Sequence, residues 1–347
     1  MKYLITGGAG FIGSHLADAL LEHGHRVHAL DNLSTGRLAN VRHLEDHDRF
    51  SVTIGSVLDY RTLEKRVVEC DRIVHLAAAV GVQRIMDQPV ETLQTNVGGT
   101  ENVLQLAHYH DTKTLVASTS EVYGKAMGKE EDLEALSEED DWTLGPTSKR
   151  RWAYACSKAT DEFLAQAYHD EHDLPVVIAR FFNTVGPRQS GRYGMVVPRF
   201  VERALAGAPI EVHGDGTQTR CFTHVADAVW AVRALLNTPE AEGEVFNIGQ
   251  GTELSINELA GRIRSMTNSD SEIVHVPYEE VYGPEFEDMK RRTPDVSKLR
   301  AATGYAPQHS TDDILRDVIA FADETAGMDP VYDTENAGLS SFAPEAS

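Results

Sequence analysis

The chain of 347 residues carries 32 Lys and Arg against 54 Asp and Glu, a formal net charge of −22, and 41% of its residues are hydrophobic. That length allows one large domain or two coupled ones, with enough apolar material for an ordinary globular core. A field of that sign repels nucleic acid and anionic membranes, so neither is expected as a partner, and an anionic ligand requires a local basic pocket.

The first apolar run, Tyr3-Leu4-Ile5, reads as a strand leading straight into a glycine turn, so no signal peptide is expected. No apolar stretch approaches membrane-spanning length. Three cysteines, Cys70, Cys156 and Cys221, are odd in number and lack metal-ligand spacing, so neither a disulfide framework nor a metal site is expected. A reducing cytoplasm follows as the simplest location.

Tyr3–Thr6, Arg26–Leu30, Arg72–Leu76, Thr114–Ser118 and Pro175–Arg180 read as buried strands. Between them, Ser14–Glu22 and Thr100–His108 place apolar residues at helical spacing. The alternation predicts an α/β fold, a doubly wound parallel sheet with helices on both faces. Residues 1–187 are read mainly as this sheet domain, with segments of the second half returning to it. After Gly186-Pro187 the alternation weakens, and 188–326 are read mainly as a smaller C-terminal α/β domain for the substrate. Residues 129–141, KEEDLEALSEEDD, read as a solvated loop, and 327–347 as a disordered tail.

Residues 4–14, LITGGAGFIGS, place glycines at 7, 10 and 13 between a strand and a helix. Gly7 suits the tight turn, Gly10 the approach of backbone to a pyrophosphate, and Gly13 the packing of helix on strand. The helix N-terminus turns its unpaired N–H groups towards the phosphates. The second strand ends in Asp31, where a carboxylate accepts from ribose hydroxyls and repels an extra phosphate. NAD is therefore the expected cofactor, although Arg37 nearby leaves room for NADP; a solvated loop residue is the lesser reading of Asp31 in this context. The first domain becomes a Rossmann-type NAD-binding domain.

LVASTSEVYG ends a strand with Thr119, Ser120 and Glu121 at its carboxyl end, where open α/β sheets bind ligands. WAYACSK places Tyr154 and Lys158 four apart on one helix face. A tyrosine is a poor base at its free pKa near 10, and a lysine ammonium one turn away stabilises the phenolate. Lys158 can also hold the nicotinamide ribose, and Thr119 can bond the same substrate oxygen. A lone Tyr-x-x-x-Lys is ordinarily a surface pair; the glycine turn and the STSEVYG strand give this one its meaning.

Here the sequence resembles the extended short-chain dehydrogenases/reductases that epimerise, dehydrate or decarboxylate nucleotide-sugars. The resemblance reaches to about residue 322 and rests on TGGAGFIG (6–13), DNLSTG (31–36), HLAA (75–78), NVGGT (96–100), STSEVYG (118–124), YACSK (154–158), RFFNTVGPR (180–188), GDGTQTRCFTHVAD (214–227) and FNIGQG (246–251). It implies a Thr119/Tyr154/Lys158 triad, and cofactor contacts from Phe11, Ile12, Asn32, Leu76, Ala77, Ala78 and the Asn96 region. It also implies diphosphate contacts from Asn183 and Arg220, Ser120 at the sugar, and Val196 and Val197 near a base, expected to be uracil. Ser56 replaces the aspartate often found for the adenine amino group, so that contact falls to backbone at Val57. A homodimer paired through helices, including the one carrying Tyr154, is a further implication.

Members of that family share oxidation at sugar C4, with Tyr154 taking the hydroxyl proton. Ser120 cannot serve as the dehydratases' acid at neutral pH, so dehydration is disfavoured. STSE looks like the string of UDP-glucuronate decarboxylases, and Arg292 in RRTPD (291–295) stands where those enzymes are expected to carry an arginine. Oxidation at C4 of a uronate makes a β-keto acid that loses CO2, and an arginine grips a carboxylate or enolate through paired donors. The favoured expectation is a UDP-glucuronate decarboxylase forming UDP-xylose, with Glu121 and Arg292 in catalysis. The alternative is a UDP-sugar 4-epimerase, in which Glu121 binds sugar hydroxyls, Arg292 pairs with a phosphate or a neighbouring acid, and Arg192 holds a uronate carboxylate in plane. A dehydrogenase that releases NADH, or a non-catalytic NAD-binding regulator, are readings of other classes.

Overall fold

Strands covered on both faces are apolar without alternation, and this chain builds its main sheet from them. Leu4 and Ile5, Ile73 and Val74, Leu115 and Val116, and Val176 to Ile178 have no exposed surface. The structure is a computed structural model and describes residues 1–129, 134–191, 195–283 and 289–326. The expected tail at 327–347 and Arg192 lie outside the described residues.

The first half runs β1 (Lys2–Thr6), α1 (Phe11–Glu22), β2 (Arg26–Asp31), β3 (Phe50–Ile54), α2 (Tyr60–Val67), β4 (Arg72–His75), α3 (Val82–Asp87), α4 (Pro89–Leu93), α5 (Gly99–Tyr109), β5 (Lys113–Thr119), α6 (Ala126–Lys129) and α7 (Trp152–His172). Next come β6 (Val176–Phe181), β7 (Thr184–Val185), α8 (Val196–Leu205), β8 (Ile210–His213), β9 (Thr219–Cys221), β10 (Thr223–His224) and α9 (Val225–Leu236). The chain then adds β11 (Val245–Ile248), β12 (Glu253–Ser255), α10 (Ile256–Met266), β13 (Ile273–Val276), α11 (Tyr278–Tyr282), α12 (Ser297–Thr303) and α13 (Thr311–Thr325).

Seven parallel strands form one sheet in the order β11-β6-β5-β4-β1-β2-β3. Because β1 lies between β2 and β4, the strand order reverses there, and a crevice opens at the carboxyl ends. Two of these strands, β3 and β11, are absent from the sequence expectation. β3 is an edge strand, so Ser51 and Ile54 are exposed and its apolar run is broken. β11 arrives from the second half to pair with β6, Val245 opposite Ile178.

Helix α9 also returns from the second half. Its Val225, Ala228, Val229 and Val232 pack with Leu16 and Leu20 of α1 beneath the sheet, joined by Leu299 of α12. Truncating a buried leucine such as Leu20 costs about 2–5 kcal/mol. A second core, with Val197, Phe200, Ile210, Val212, Leu259, Ile263, Ile314 and Leu315, joins α8, α10 and α13 to β8 and β13. The acidic stretch expected as a solvated loop is partly anchored instead. Leu136 is buried beside Val122, Tyr123 and Phe182, and its backbone bonds Thr293 and Asp295 at 2.8 Å each. Asn247 adds to this anchor, its side chain bonding Leu136 O at 2.9 Å and its backbone N–H donating to Glu138 Oε1 at 2.7 Å. Among the described residues, no helix is long and apolar enough to cross a membrane.

Candidate active site

Backbone bonds shape the turn between β1 and α1: Gly7 donates to Leu30 O at 2.8 Å, and Gly10 to Gly7 O at 3.0 Å. Gly7 has φ +73°, and a Cβ on Gly13 would stand 2.2 Å from Gly7 O. Both positions therefore demand glycine. Gly10 caps α1 without a side chain, so the first-turn N–H groups are left for an anion. At the end of β2, Asp31 is 7% exposed; its carboxylate accepts from Ala9 N at 3.0 Å and Leu33 N at 2.8 Å. Burial holds this carboxyl above its ordinary range, and the backbone donors offset only part of that rise.

A cleft of about 480 Å³ runs from this turn, across the carboxyl ends of β4, β5 and β6, to α8 and α11. Of the sequence-assigned residues, Gly7, Gly10, Phe11, Ile12, Gly13, Asp31, Asn32, Val57, Leu76, Ala77 and Ala78 line its first part. The cradle that a Cβ would fill, uncapped N–H groups and a carboxylate at the strand end together fit a dinucleotide. Asn96 stands behind this wall instead of on it. Its amide accepts from Ala79 N at 2.7 Å and donates to Ser157 Oγ at 3.0 Å, while neighbouring Thr95 faces the cleft. The Val57 carbonyl already accepts from Asn102 at 3.0 Å.

The middle of the cleft brings together Thr119, Ser120, Glu121, Tyr154, Lys158, Asn183 and Arg292. The Arg292 Nη1 donates to Glu121 Oε1 at 2.7 Å, and Nη2 to Asn183 Oδ1 at 3.2 Å. Asn183 holds its amide there from a left-handed backbone, φ 35°, with Nδ2 bonded to Cys221 O at 2.9 Å. Asparagine adopts such a backbone more readily than most side chains do. Burial first, and then the Glu121 charge, hold the Tyr154 phenol above its ordinary range; a hydrogen bond with Thr119 opposes them. Lys158 is 3% exposed and pairs with Asp161 at 2.6 Å.

The sequence reading missed Arg151, Asp161 and the far end of the cleft. Arg151 reaches Glu121 at 3.3 Å with 5% of its side chain exposed; its position three before Tyr154 was the available signal. Beyond Val196, Val197 and Arg220, the far end is walled by Arg199, His213, Gln218, Tyr278 and Tyr282. His213 bonds Arg199 at 2.9 Å and Tyr282 at 3.1 Å, and burial and then Arg199 drive its ring down to about 4. Arg199 comes from α8, His213 from β8, Gln218 from the loop after it and the two tyrosines from α11, so no local pattern gathers them. Lys158, Arg151, Arg199, Arg220 and Arg292 give the cleft cationic groups against a net charge of −22. Among the described residues, no cluster of three or more His, Cys, Asp or Glu could hold a metal ion.

Residues 4–318 match the family model described as GDP-mannose 4,6 dehydratase. The UDP-N-acetyl-alpha-D-glucosaminuronate decarboxylase of Bacillus cytotoxicus is 44% identical over 319 residues, 92% of this chain and 96% of that one. UDP-glucuronic acid decarboxylase 1 of Xenopus tropicalis is 37% identical over 306 residues, 88% of this chain and 68% of its own length. Among solved structures, UDP-glucuronic acid 4-epimerase from Bacillus cereus, in complex with UDP-glucuronic acid and NAD, is similar at a TM-score of 0.83. It is 29% identical, covering 93% of this chain and 99% of that one.

Proposed function

This chain belongs to the GDP-mannose 4,6-dehydratase family, and we propose that within it the protein is an NAD-dependent decarboxylase of a UDP-linked uronic acid. The observation that carries the reading is the 2.7 Å pair of Glu121 with Arg292 beside Thr119 and Tyr154. Two relatives bearing decarboxylase names support it. NAD, held by the Gly7–Gly13 turn and Asp31, would supply the hydride acceptor for sugar C4 and the hydride returned to it.

The protein's residues do the remainder. Tyr154 takes the proton of the C4 hydroxyl, and Thr119 shares that oxygen. The resulting β-keto acid breaks its bond to the carboxyl carbon; CO2 leaves, and the electron pair becomes the C4–C5 enolate. A proton then adds at C5 to give the 4-keto pentose; once C4 regains hydride and its oxygen regains the proton from Tyr154, a uronate and one proton have become a pentose and CO2. Arg292 and Arg151 stabilise negative charge as it moves, with Glu121 holding the two guanidinium groups in place. Asn183 and Arg220 bind the diphosphate, and Val196 and Val197 flank the base. Asp31 favours NAD over NADP.

Domain division at Gly186-Pro187, a cytoplasmic location and a homodimer complete the reading. Phe163 on α7 and Tyr109 on α5 are 65% and 78% exposed, which suits pairing through these helices; sedimentation of the purified chain reads the mass directly. The deciding experiment incubates the enzyme and NAD with UDP-glucuronate and, separately, UDP-N-acetylglucosaminuronate, following products by NMR and mass. Loss of the CO2 mass from either supports decarboxylation. An equal-mass product inverted at C4 makes the protein a 4-epimerase, the activity named for the Bacillus cereus structure.

A further inference from the structure

Helix α7 carries Tyr154 and Lys158, and one turn further on it carries another charged group. Asp161 has no exposed side-chain surface, and its Oδ2 accepts from Lys158 Nζ at 2.6 Å. A buried carboxylate is ordinarily kept only where its charge is paired. The Lys158 ammonium is that pair, so its field is divided between Asp161 and the Tyr154 phenol.

We propose that Asp161 is a positioning residue for Tyr154 and Lys158: it fixes where the ammonium sits and how much of its field reaches the phenol. This rests on reading Tyr154 as the base. The other groups around the pair leave Asp161 this task. From the end of β5 come the Thr119 hydroxyl and the Glu121 carboxylate, and from the loop before α12 comes Arg292. Arg151, at the start of α7, is engaged with Glu121. From α5 the Thr100 hydroxyl approaches Asp161 and also meets His75 of β4 at 3.1 Å. His75 is driven down to about 3 by burial and then by Lys158, so it stays neutral and does not replace the lysine as cation. Glu162, next in sequence, is committed to Arg180 at 2.7 Å and to Ser118.

The sign follows from Coulomb's law. Asp161 opposes the phenolate directly, and its pairing with Lys158 also neutralises the ammonium one helical turn from the tyrosine. Removing its charge should ease ionisation of Tyr154.

The test follows Tyr154 in the NAD-loaded enzyme by NMR of 13Cζ-labelled tyrosine, the signal identified by its absence in Tyr154→Phe. In Asp161→Asn, the Tyr154 titration and the acid limb of kcat/KM should both move down by roughly one pH unit. Asp161→Glu keeps the charge and should leave the titration in place. With Lys158→Met already present, Asp161→Asn should move it less, since only the direct effect of Asp161 then remains. If Asn at this site unfolds the chain, Asp161→Ser serves, being smaller and still able to accept the lysine's bond. A titration unmoved in a folded Asn or Ser variant, or moved equally with and without Lys158, overturns the proposal. A shifted titration with no turnover of any UDP-uronate overturns the proposed function and leaves this inference standing.

Discussion

Glu121 and Arg292 stand 171 positions apart and meet at 2.7 Å on the wall of the cleft. Their side chains are 17% and 11% exposed, so each charge depends on the other instead of on water. Replacing Arg292 with Met should lower decarboxylation by about a hundredfold to a thousandfold, the usual cost of one transition-state donor. Glu121→Gln should act on the same step, and the double variant should lose less than the product of the two. Product formation measured by NMR checks this; independent losses would separate the residues.

Tyr154→Phe removes only the phenol oxygen, and so only the proton transfer. Turnover should fall by about 10²–10⁴, the span of general acid–base catalysis, while NAD still binds. Calorimetry for NAD beside the product assay separates the two effects. Substantial turnover in the variant would take the base role from Tyr154.

Asp31 both faces the cleft and ties Ala9 N and Leu33 N into the turn. Asp31→Ala should lower the preference for NAD over NADP and also cost about 1–3 kcal/mol of stability, because two backbone donors lose their acceptor. Affinity for each dinucleotide and urea unfolding give the two numbers. An unchanged NAD to NADP ratio would remove the ribose contact.

Gly13→Ala sets a methyl group 2.2 Å from Gly7 O, where backbone cannot yield cheaply. The helix must shift from the strand, so NAD affinity should fall even in protein that remains folded. Titration calorimetry at matched circular dichroism checks it, and normal affinity would mean that the turn tolerates a side chain.

His28 and His75 are buried and neutral, with folded-state values of about 4 and about 3, mainly through loss of hydration. An unfolded histidine takes a proton near pH 6.5. Their contribution is therefore complete above about pH 6.5 and is lost as pH falls towards 4 and below, where the unfolded state binds more protons. Urea midpoints should decline over that range, and His28→Gln should flatten the slope. His28 meets Ser51 at 2.7 Å and Thr53 at 2.9 Å, both of which a glutamine can reach.

The site was legible in the sequence wherever its geometry is made within a few residues. LITGGAGFIGS encodes a turn that only glycines can close, and Tyr154 and Lys158 share a helix face by spacing alone. Asp31 was readable because a strand end fixes its place. Asp161 lay within the same reach, three residues beyond Lys158, yet an acid beside a lysine on a helix ordinarily marks a solvated face. Only burial distinguishes it.

By itself, then, the sequence determined a parallel α/β sheet, a dinucleotide turn and a tyrosine–lysine pair, because backbone sterics and helical periodicity act locally. The tertiary structure decided what those local rules cannot carry. It brought β11 and α9 back to the first sheet, and it set β3 at an edge where its apolar pattern breaks. It joined Glu121 to Arg151 and Arg292, and it gathered Arg199, His213, Tyr278 and Tyr282 at the far end of the cleft. Such contacts join chain segments that are distant in sequence. Their partners are selected by what the folded core brings within a few ångströms, and spacing along the chain carries no record of that distance.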